Sequence, residues 1–320
     1  MAWTELRNQT SVQQFILLGF PGTWYFRMSV AVLFAVTYVL TIIGNVCIIA
    51  LVRIHPQLHT PMYFFLCNLS FLEIWFTTSF LPKAIGVMLG TSQTISFTSC
   101  LIQLYFYLLL GATECFLLAT MAYDRYLAIC HPLRYSVLMN NTITAQLALA
   151  SWLGAFLSSS LLVALISRLS FCGANVINHY FCQMDSWIAL SCMNTYVIEL
   201  TTFILSFLVI VFSCAITVVS YVCIIATISR IPSAQAWQKA FSTCSAHLIL
   251  VTLWFGSSII IFVKPSAQNS LYLNKTVSIF NTIITPLLNP FIYTLRNKEV
   301  KAALGRTVRG TFRGVRKVLD

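Results

Sequence analysis

Long apolar runs alternate with short polar connections along this chain, and within the runs there is no period-two pattern. Seven runs supply the roughly 20 helical residues that cross a hydrocarbon core: Met28–Val52, Pro61–Leu81, Phe97–Ile129, Thr142–Ile166, Val197–Ser229, Ala240–Val263 and Thr276–Leu295. No Lys, Arg, Asp or Glu interrupts the first between Ser29 and Val52 or the fifth between Leu200 and Ser229. The second carries Glu73 and the third Glu114, so those two rest on length and on the need to join their neighbours. Barrel strands would alternate over about ten positions, and these runs are far longer. The pattern predicts an all-α integral membrane protein, a seven-transmembrane helix bundle in which each helix satisfies its own backbone. Residues 1–27 form the outer amino-terminal segment, 28–295 the membrane domain and 296–320 the cytoplasmic end. Within that end, Asn297 to Val308 reads as a short amphipathic helix, with Val300, Leu304 and Val308 on one side, lying along the inner leaflet.

Composition agrees with a lipid solvent: 58% of residues are hydrophobic and 8% charged, against about a quarter charged in soluble domains. The net charge of +11 is distributed unevenly. With the amino end outside, Arg53, Arg125, Arg134, Arg230, Lys239 and eight residues from Arg296 to Lys317 lie inside, thirteen of nineteen basic residues, as the preference of Lys and Arg for cytoplasmic loops requires. Nucleic-acid binding, the usual rival for a basic chain, has no soluble domain to carry it. The stretch Phe15 to Leu18 with Phe20 is too short for a cleavable signal peptide, so the first helix is expected to act as its own insertion signal. Asn8-Gln9-Thr10 is a glycosylation sequon on the outer side. These features predict a multi-pass membrane protein with an extracellular amino terminus, and the plasma membrane is its expected location.

Of eleven cysteines, Cys100 opens the third helix at the outer face, and Cys172, Cys182 and Cys192 fall in the long outer loop, where disulfides persist. Four cysteines allow three pairings. Asp124 and Arg125 stand at the inner end of the third helix, where one conformation can hold a charge pair that another releases. Glu73 and Glu114 are costly in hydrocarbon and should share a polar pocket, bridged by a monovalent cation or keeping one carboxyl protonated. His179 and Cys182 have a metal-ligand spacing, but a disulfide would remove the thiolate and Gln183 stands where a carboxylate would complete the set. His247 on the sixth helix is expected to be a structural hydrogen-bonding group.

The segments Leu58 to Leu66, Met121 to Cys130, Ser220-Tyr221, Lys239 to Leu248 and Pro286 to Tyr293 strongly resemble odorant receptors of the tetrapod type, within the rhodopsin-like G protein-coupled receptors. The resemblance runs from Asn45 to Lys298. It implies that Cys100 pairs with Cys182 and Cys172 with Cys192. It implies coupling through the olfactory stimulatory G protein to adenylyl cyclase, with Asp124, Arg125, Tyr126, Tyr221, Lys239, Asn289, Pro290 and Tyr293 as moving parts. Asn45 and Asn289 would flank the Glu73–Glu114 pair at a sodium site, with no other cofactor. Positions matching the odorant pocket are Tyr107, Leu108, Gly111, Ala112, Leu205, Ser206, Val209, Phe255, Ser258, Ile259, Phe262, Ile279 and Thr282. None is charged, which suits a neutral alcohol, aldehyde, ketone, ester or terpenoid.

Where the family often has Phe-Tyr-Gly-Thr, this chain has Trp254-Phe255-Gly256-Ser257, which shifts hydrogen bonding toward Ser258, Ser206 and Tyr107. The sixth helix has no proline between Ala240 and Val263, so its movement cannot depend on a proline kink. A related receptor for a non-olfactory ligand is the rival within this class. A transporter would need internal repeats, and none is visible. No nucleophile, base and oxyanion arrangement suggests an enzyme.

Overall fold

The computed structural model describes residues 12–172, 174–230, 234–262, 271–296, 299–307 and 309. The long helices are α1 (Trp24–Ile54), α2 (Pro61–Met88), α3 (Phe97–Cys130), α5 (Asn141–Ile166), α7 (Tyr196–Ile228) and α8 (Ala234–Phe262). The seventh crossing joins α9 (Leu271–Ile279), a π-helical turn over Phe280–Ile284 and α10 (Thr285–Arg296). Short helices α4 (Tyr135–Leu138) and α6 (Met184–Leu190) lie in the connections, and residues 299–307 are helical again, as the amphipathic pattern predicts. Five helices carry a long apolar window, and α8 is apolar over His247–Phe262.

Helix starts follow local chemistry. The side chains of Thr23, Ser96 and Asn140 accept from the amides of Phe26, Ser99 and Ile143 at 3.4, 3.1 and 3.0 Å, capping donors that have no partner within the helix. Pro61 opens α2, where its missing amide costs nothing. That helix continues past the expected Leu81, through Pro82, because its outer end is tied to the next loop: Lys83 Nζ donates to Ser92 Oγ at 2.6 Å and to Thr94 O at 2.5 Å.

Both sides of each helix are apolar, so the bundle is sorted by its polar residues. On α1, Val32, Val36, Val39 and Ile43 are exposed on one stripe and face lipid, whereas Thr37, Thr41 and Asn45 are buried. Each of these three donates to a carbonyl of its own helix: Thr37 to Leu33, Thr41 to Thr37 and Asn45 to Thr41, at 2.8 to 2.9 Å. Close helix approach uses small residues. A Cβ at Gly44 would come within 2.8 Å of the Pro290 ring, so α1 and α10 meet there.

An outer cap departs from the expected all-α character. Strands β1 (Gln14–Leu17), β2 (Thr94–Ser96) and β3 (Val176–Ile177) form a small sheet in the order β2-β1-β3. β1 is antiparallel to β2, with Phe15 opposite Ile95, and parallel to β3, with Ile16 opposite Val176. The short apolar stretch near the amino end is thus a strand. Phe15 and Leu17 point into the cap and are fully buried, with Phe15 against Phe171 and Trp187 at ring distances of 5.5 and 5.1 Å.

Candidate functional site

Between the outer halves of α3, α5, α7 and α8 lies a cavity with about 590 Å³ of atom-free space, counting the part open to the surroundings. α3 contributes Tyr107, Leu108, Gly111 and Ala112, α7 contributes Leu205, Ser206 and Val209, and α8 contributes Ser258 and Phe262. The other expected positions lie elsewhere. Ile259 is 40% exposed on the lipid face, because one residue beyond inward-facing Ser258 the helix has turned by about 100°. Phe255 is buried in helix packing, Ile279 packs against the core beside the cavity, and Thr282 is bonded to the lid.

Several wall residues were not anticipated. α5 adds Ser158, Ser159 and Leu162, and Phe76, Cys115, Ile210, Trp254 and Asn281 complete the lining. The run Ser158-Ser159-Ser160 within an apolar segment was a usable signal. Asn281 sits in the π turn, whose wider coil re-aims side chains. Its Nδ2 donates to Ser258 Oγ at 3.0 Å, and Ser257 Oγ meets its Oδ1. Among the described residues, the wall therefore carries hydroxyls and one amide and no charged side chain. Trp254, rather than Phe255, faces the cavity, with its Nε1 donating to Cys115 Sγ at 3.3 Å.

The long outer loop roofs this cavity. Disulfides join Cys100 to Cys182 and Cys172 to Cys192, the pairs implied by the resemblance. Gln103 reinforces the first: its Oε1 accepts from Cys182 N at 2.8 Å and its Nε2 donates to Ser79 O at 3.1 Å. Phe181 consequently rests on Tyr107, with ring centroids 4.9 Å apart. Tyr180 OH meets Thr282 Oγ1 at 2.9 Å, joining the lid to the π turn. Lys275 Nζ donates to Gly19 O at 2.6 Å and Asn178 Oδ1 at 2.8 Å, so one buried cation ties the seventh crossing to both the amino-terminal segment and the loop.

His179 is buried in this lid, and its Nδ1 accepts from Phe181 N at 3.4 Å. Burial, and secondarily the Lys275 charge, hold it well below the usual imidazole range. In the unfolded chain the ring regains a pKa near 6.5. Below that pH the unfolded state binds the extra proton, so stability present at neutral pH is lost on acidification. Thermal unfolding of wild type should therefore fall more steeply between about pH 7 and about pH 5 than that of His179→Phe. Parallel pH profiles would contradict this.

Midway through the bundle, Glu73, Glu114 and Asn289 come together. Asn289 Nδ2 donates to Glu73 Oε1, and the two carboxyls lie within interaction distance of each other. Among the described residues, Glu73 Oε2, both Glu114 oxygens and Asn289 Oδ1 are buried without a donor, as is Asn45 Oδ1, whose amide serves Thr41 O instead. An all-oxygen set of this kind fits a hard cation.

At the inner end, Arg125 donates to Asp124 Oδ2 through Nε at 3.2 Å and Nη2 at 2.9 Å, and Tyr135 OH donates to Asp124 Oδ1 at 2.7 Å. Asp124 is fully buried, whereas the Arg125 side chain is 19% exposed. Tyr126 stands apart from this lock, its OH meeting His131 Nε2 at 3.0 Å. Tyr221 OH meets His247 Nδ1 at 2.7 Å, within a small cluster of Ala122, Tyr221, Ile224 and Ile228 that is separate from the main core. Asn8 and the side chains of Lys239 and Tyr293 lie outside the described residues.

The fold is that of rhodopsin: squid rhodopsin superposes with a TM-score of 0.66 at 17% identity, covering 91% of this chain and 88% of its own. That match defines the class of fold, a seven-helix membrane bundle, here with a roofed cavity at one end and a closed ion-pair lock at the other. Residues 34–309 match the family model described as olfactory receptor. Human olfactory receptor 6F1 is 56% identical over 95% of this chain and 98% of its own length. Rat olfactory receptor 287 is 54% identical over 97% of this chain and 100% of its own. The chain belongs to the olfactory receptor family, multi-pass membrane receptors that take small-molecule ligands and couple to G proteins, and is not an enzyme.

Proposed function

We propose that this receptor lies in the plasma membrane with its amino end outside, takes a small neutral volatile molecule into the outer cavity, and activates the olfactory stimulatory G protein, raising cyclic AMP. The observation that carries the reading is the cavity wall: apolar surface with Tyr107, Ser158, Ser159, Ser206, Ser258 and Asn281 as its polar points and, among the described residues, no ion to meet an amine or carboxylate. Asp124, Arg125, Tyr126, Tyr221, Lys239, Asn289, Pro290 and Tyr293 then form the moving inner half. A bound odorant shifts the bundle only to the extent that it prefers the open form. The test is a cyclic AMP reporter in cells expressing the full chain, with a broad panel of neutral odorants, amines and carboxylic acids. Neutral compounds should predominate among the agonists, and a panel in which only charged compounds act would overturn the ligand assignment.

Two close carboxylates in a dry bundle do not both remain ionised without compensation. We propose that one monovalent cation or one shared proton offsets Glu73 and Glu114 in the resting form, with Asn289 and Asn45 alongside. Agonist potency measured in sodium and in choline media decides between them. A sodium-dependent loss of potency, absent in Glu114→Gln, assigns the cation. Insensitivity to sodium with a dependence on pH assigns the proton, and sensitivity to neither refutes both.

A further inference from the structure

A second large recess opens on the lipid-facing surface at the inner ends of α1, α2 and α5, with about 1250 Å³ of atom-free space, counting the part open to the surroundings. Its composition changes from one end to the other. Toward the bilayer centre the wall is apolar, with Ile49, Phe64 and Phe71, the two phenylalanines 42% and 47% exposed. Toward the cytoplasm it carries Arg53, His59, Thr60 and Asn141, and no Asp or Glu lines it among the described residues.

The polar groups divide in the same direction. In the floor, both polar atoms of Asn68 have a partner: its Nδ2 donates to Phe64 O at 3.0 Å and its Oδ1 accepts from Trp152 Nε1 at 3.3 Å. At the mouth, Arg53 and Thr60 have no side-chain partner among the described residues. Arg53 lines the mouth and has no carboxylate partner among the described residues. Thr60 precedes α2 without making a side-chain capping bond, which leaves the positive end of that helix facing the same mouth. The His59 ring uses one nitrogen on Val52 O at 3.0 Å, which holds it at the rim.

An apolar slot one headgroup below a cationic, donor-rich rim has the shape of a lipid with a negative headgroup. We propose that this recess is a binding site for an anionic phospholipid of the inner leaflet, phosphate at Arg53, Thr60 and Asn141 and one acyl chain against Phe64 and Phe71. The inference rests on the proposed orientation only for the choice of leaflet. Occupancy would fasten α1, α2 and α5 together at the end opposite the odorant cavity.

The test uses the purified full-length receptor in mild detergent, titrated with phosphatidylserine or phosphatidylcholine and read by native mass spectrometry. Because detergent has no sidedness and neither odorant nor G protein is present, failure here is distinct from failure of the receptor reading. Wild type should bind phosphatidylserine more tightly than phosphatidylcholine. Arg53→Gln should weaken phosphatidylserine about fivefold, the effect of one basic residue near an anionic surface, and leave phosphatidylcholine unchanged. Arg53→Lys should restore most of the difference, which separates lost charge from lost folding. Glycerophosphoserine, which has the headgroup without chains, should not compete. Equal binding of the two lipids, an Arg53→Gln affinity equal to wild type, or full displacement by glycerophosphoserine would each overturn the proposal.

Discussion

Asp124→Asn is expected to raise ligand-independent cyclic AMP about tenfold, and Arg125→Ala to abolish the odorant response. The two opposite signs follow from one geometry. Asp124 is fully buried and holds Arg125 by two hydrogen bonds at 3.2 and 2.9 Å, while Tyr135 from the next connection donates at 2.7 Å. Charge-assisted hydrogen bonds contribute about 1.5 to 3 kcal/mol each, and a neutral amide keeps the shape while giving up much of that. A loss of about 1.4 kcal/mol in the closed form moves its population against the open form tenfold. Removing the guanidinium instead takes away the group proposed to meet the G protein and leaves a buried charge uncompensated. The comparison requires equal surface expression, measured on the same cells. Unchanged basal signalling in Asp124→Asn would mean that this lock does not hold the resting state.

Gly111→Leu is the second large effect, and it acts at the other end of the molecule. Gly111 lies in the cavity wall, and a Cβ built there meets nothing within 4 Å, so the new side chain extends into the space a ligand would fill. The helix itself gains, since glycine in a helix interior costs about 1 kcal/mol relative to alanine. The receptor should therefore fold at least as well as wild type while its larger agonists lose potency. Overpacking costs about 1 to 3 kcal/mol, which corresponds to a decrease of roughly fivefold to a hundredfold. Small agonists should be spared. A uniform loss across sizes would indicate damage to coupling, and an unchanged potency ranking would place the ligand elsewhere.

The membrane crossings were legible because seven long apolar runs have no other physical use, and because basic residues mark one side of them. The inward faces were less so. In a soluble helix hydrophobicity separates core from surface, but here lipid and core are both apolar, and only embedded polar residues distinguish them. Ile259 and Ser258 illustrate this: adjacent positions in an apolar run, one facing lipid and the other the cavity. The contribution of α5 escaped for the same reason, although its serine run pointed to it. The cap sheet was beyond local reading, since Gln14–Leu17 is only four residues long and its partners at Thr94–Ser96 and Val176–Ile177 are far along the chain. The π turn that brings Asn281 to Ser258 and Thr282 to Tyr180 left no periodic trace, because one added residue per turn is lost in a uniformly apolar segment.

The separate cluster of Ala122, Tyr221, Ile224 and Ile228 bears on how the two ends communicate. A small satellite of packing can part without breaking the main core, which extends from the cap through α2 and α3. Opening the inner end then costs the Tyr221–His247 bond and the contacts of that cluster, and the outer cavity need change only slightly. Such bistable packing converts small displacements at a ligand into discrete movements elsewhere.

The most direct measurement is the distance between spin labels at the inner ends of α3 and α8 in the purified receptor, with and without an agonist identified by the cyclic AMP reporter. Filling the outer cavity should lengthen that distance in wild type, and the same bulky agonist should fail to do so in Gly111→Leu. A distance distribution unmoved by a saturating agonist that still raises cyclic AMP would contradict the account.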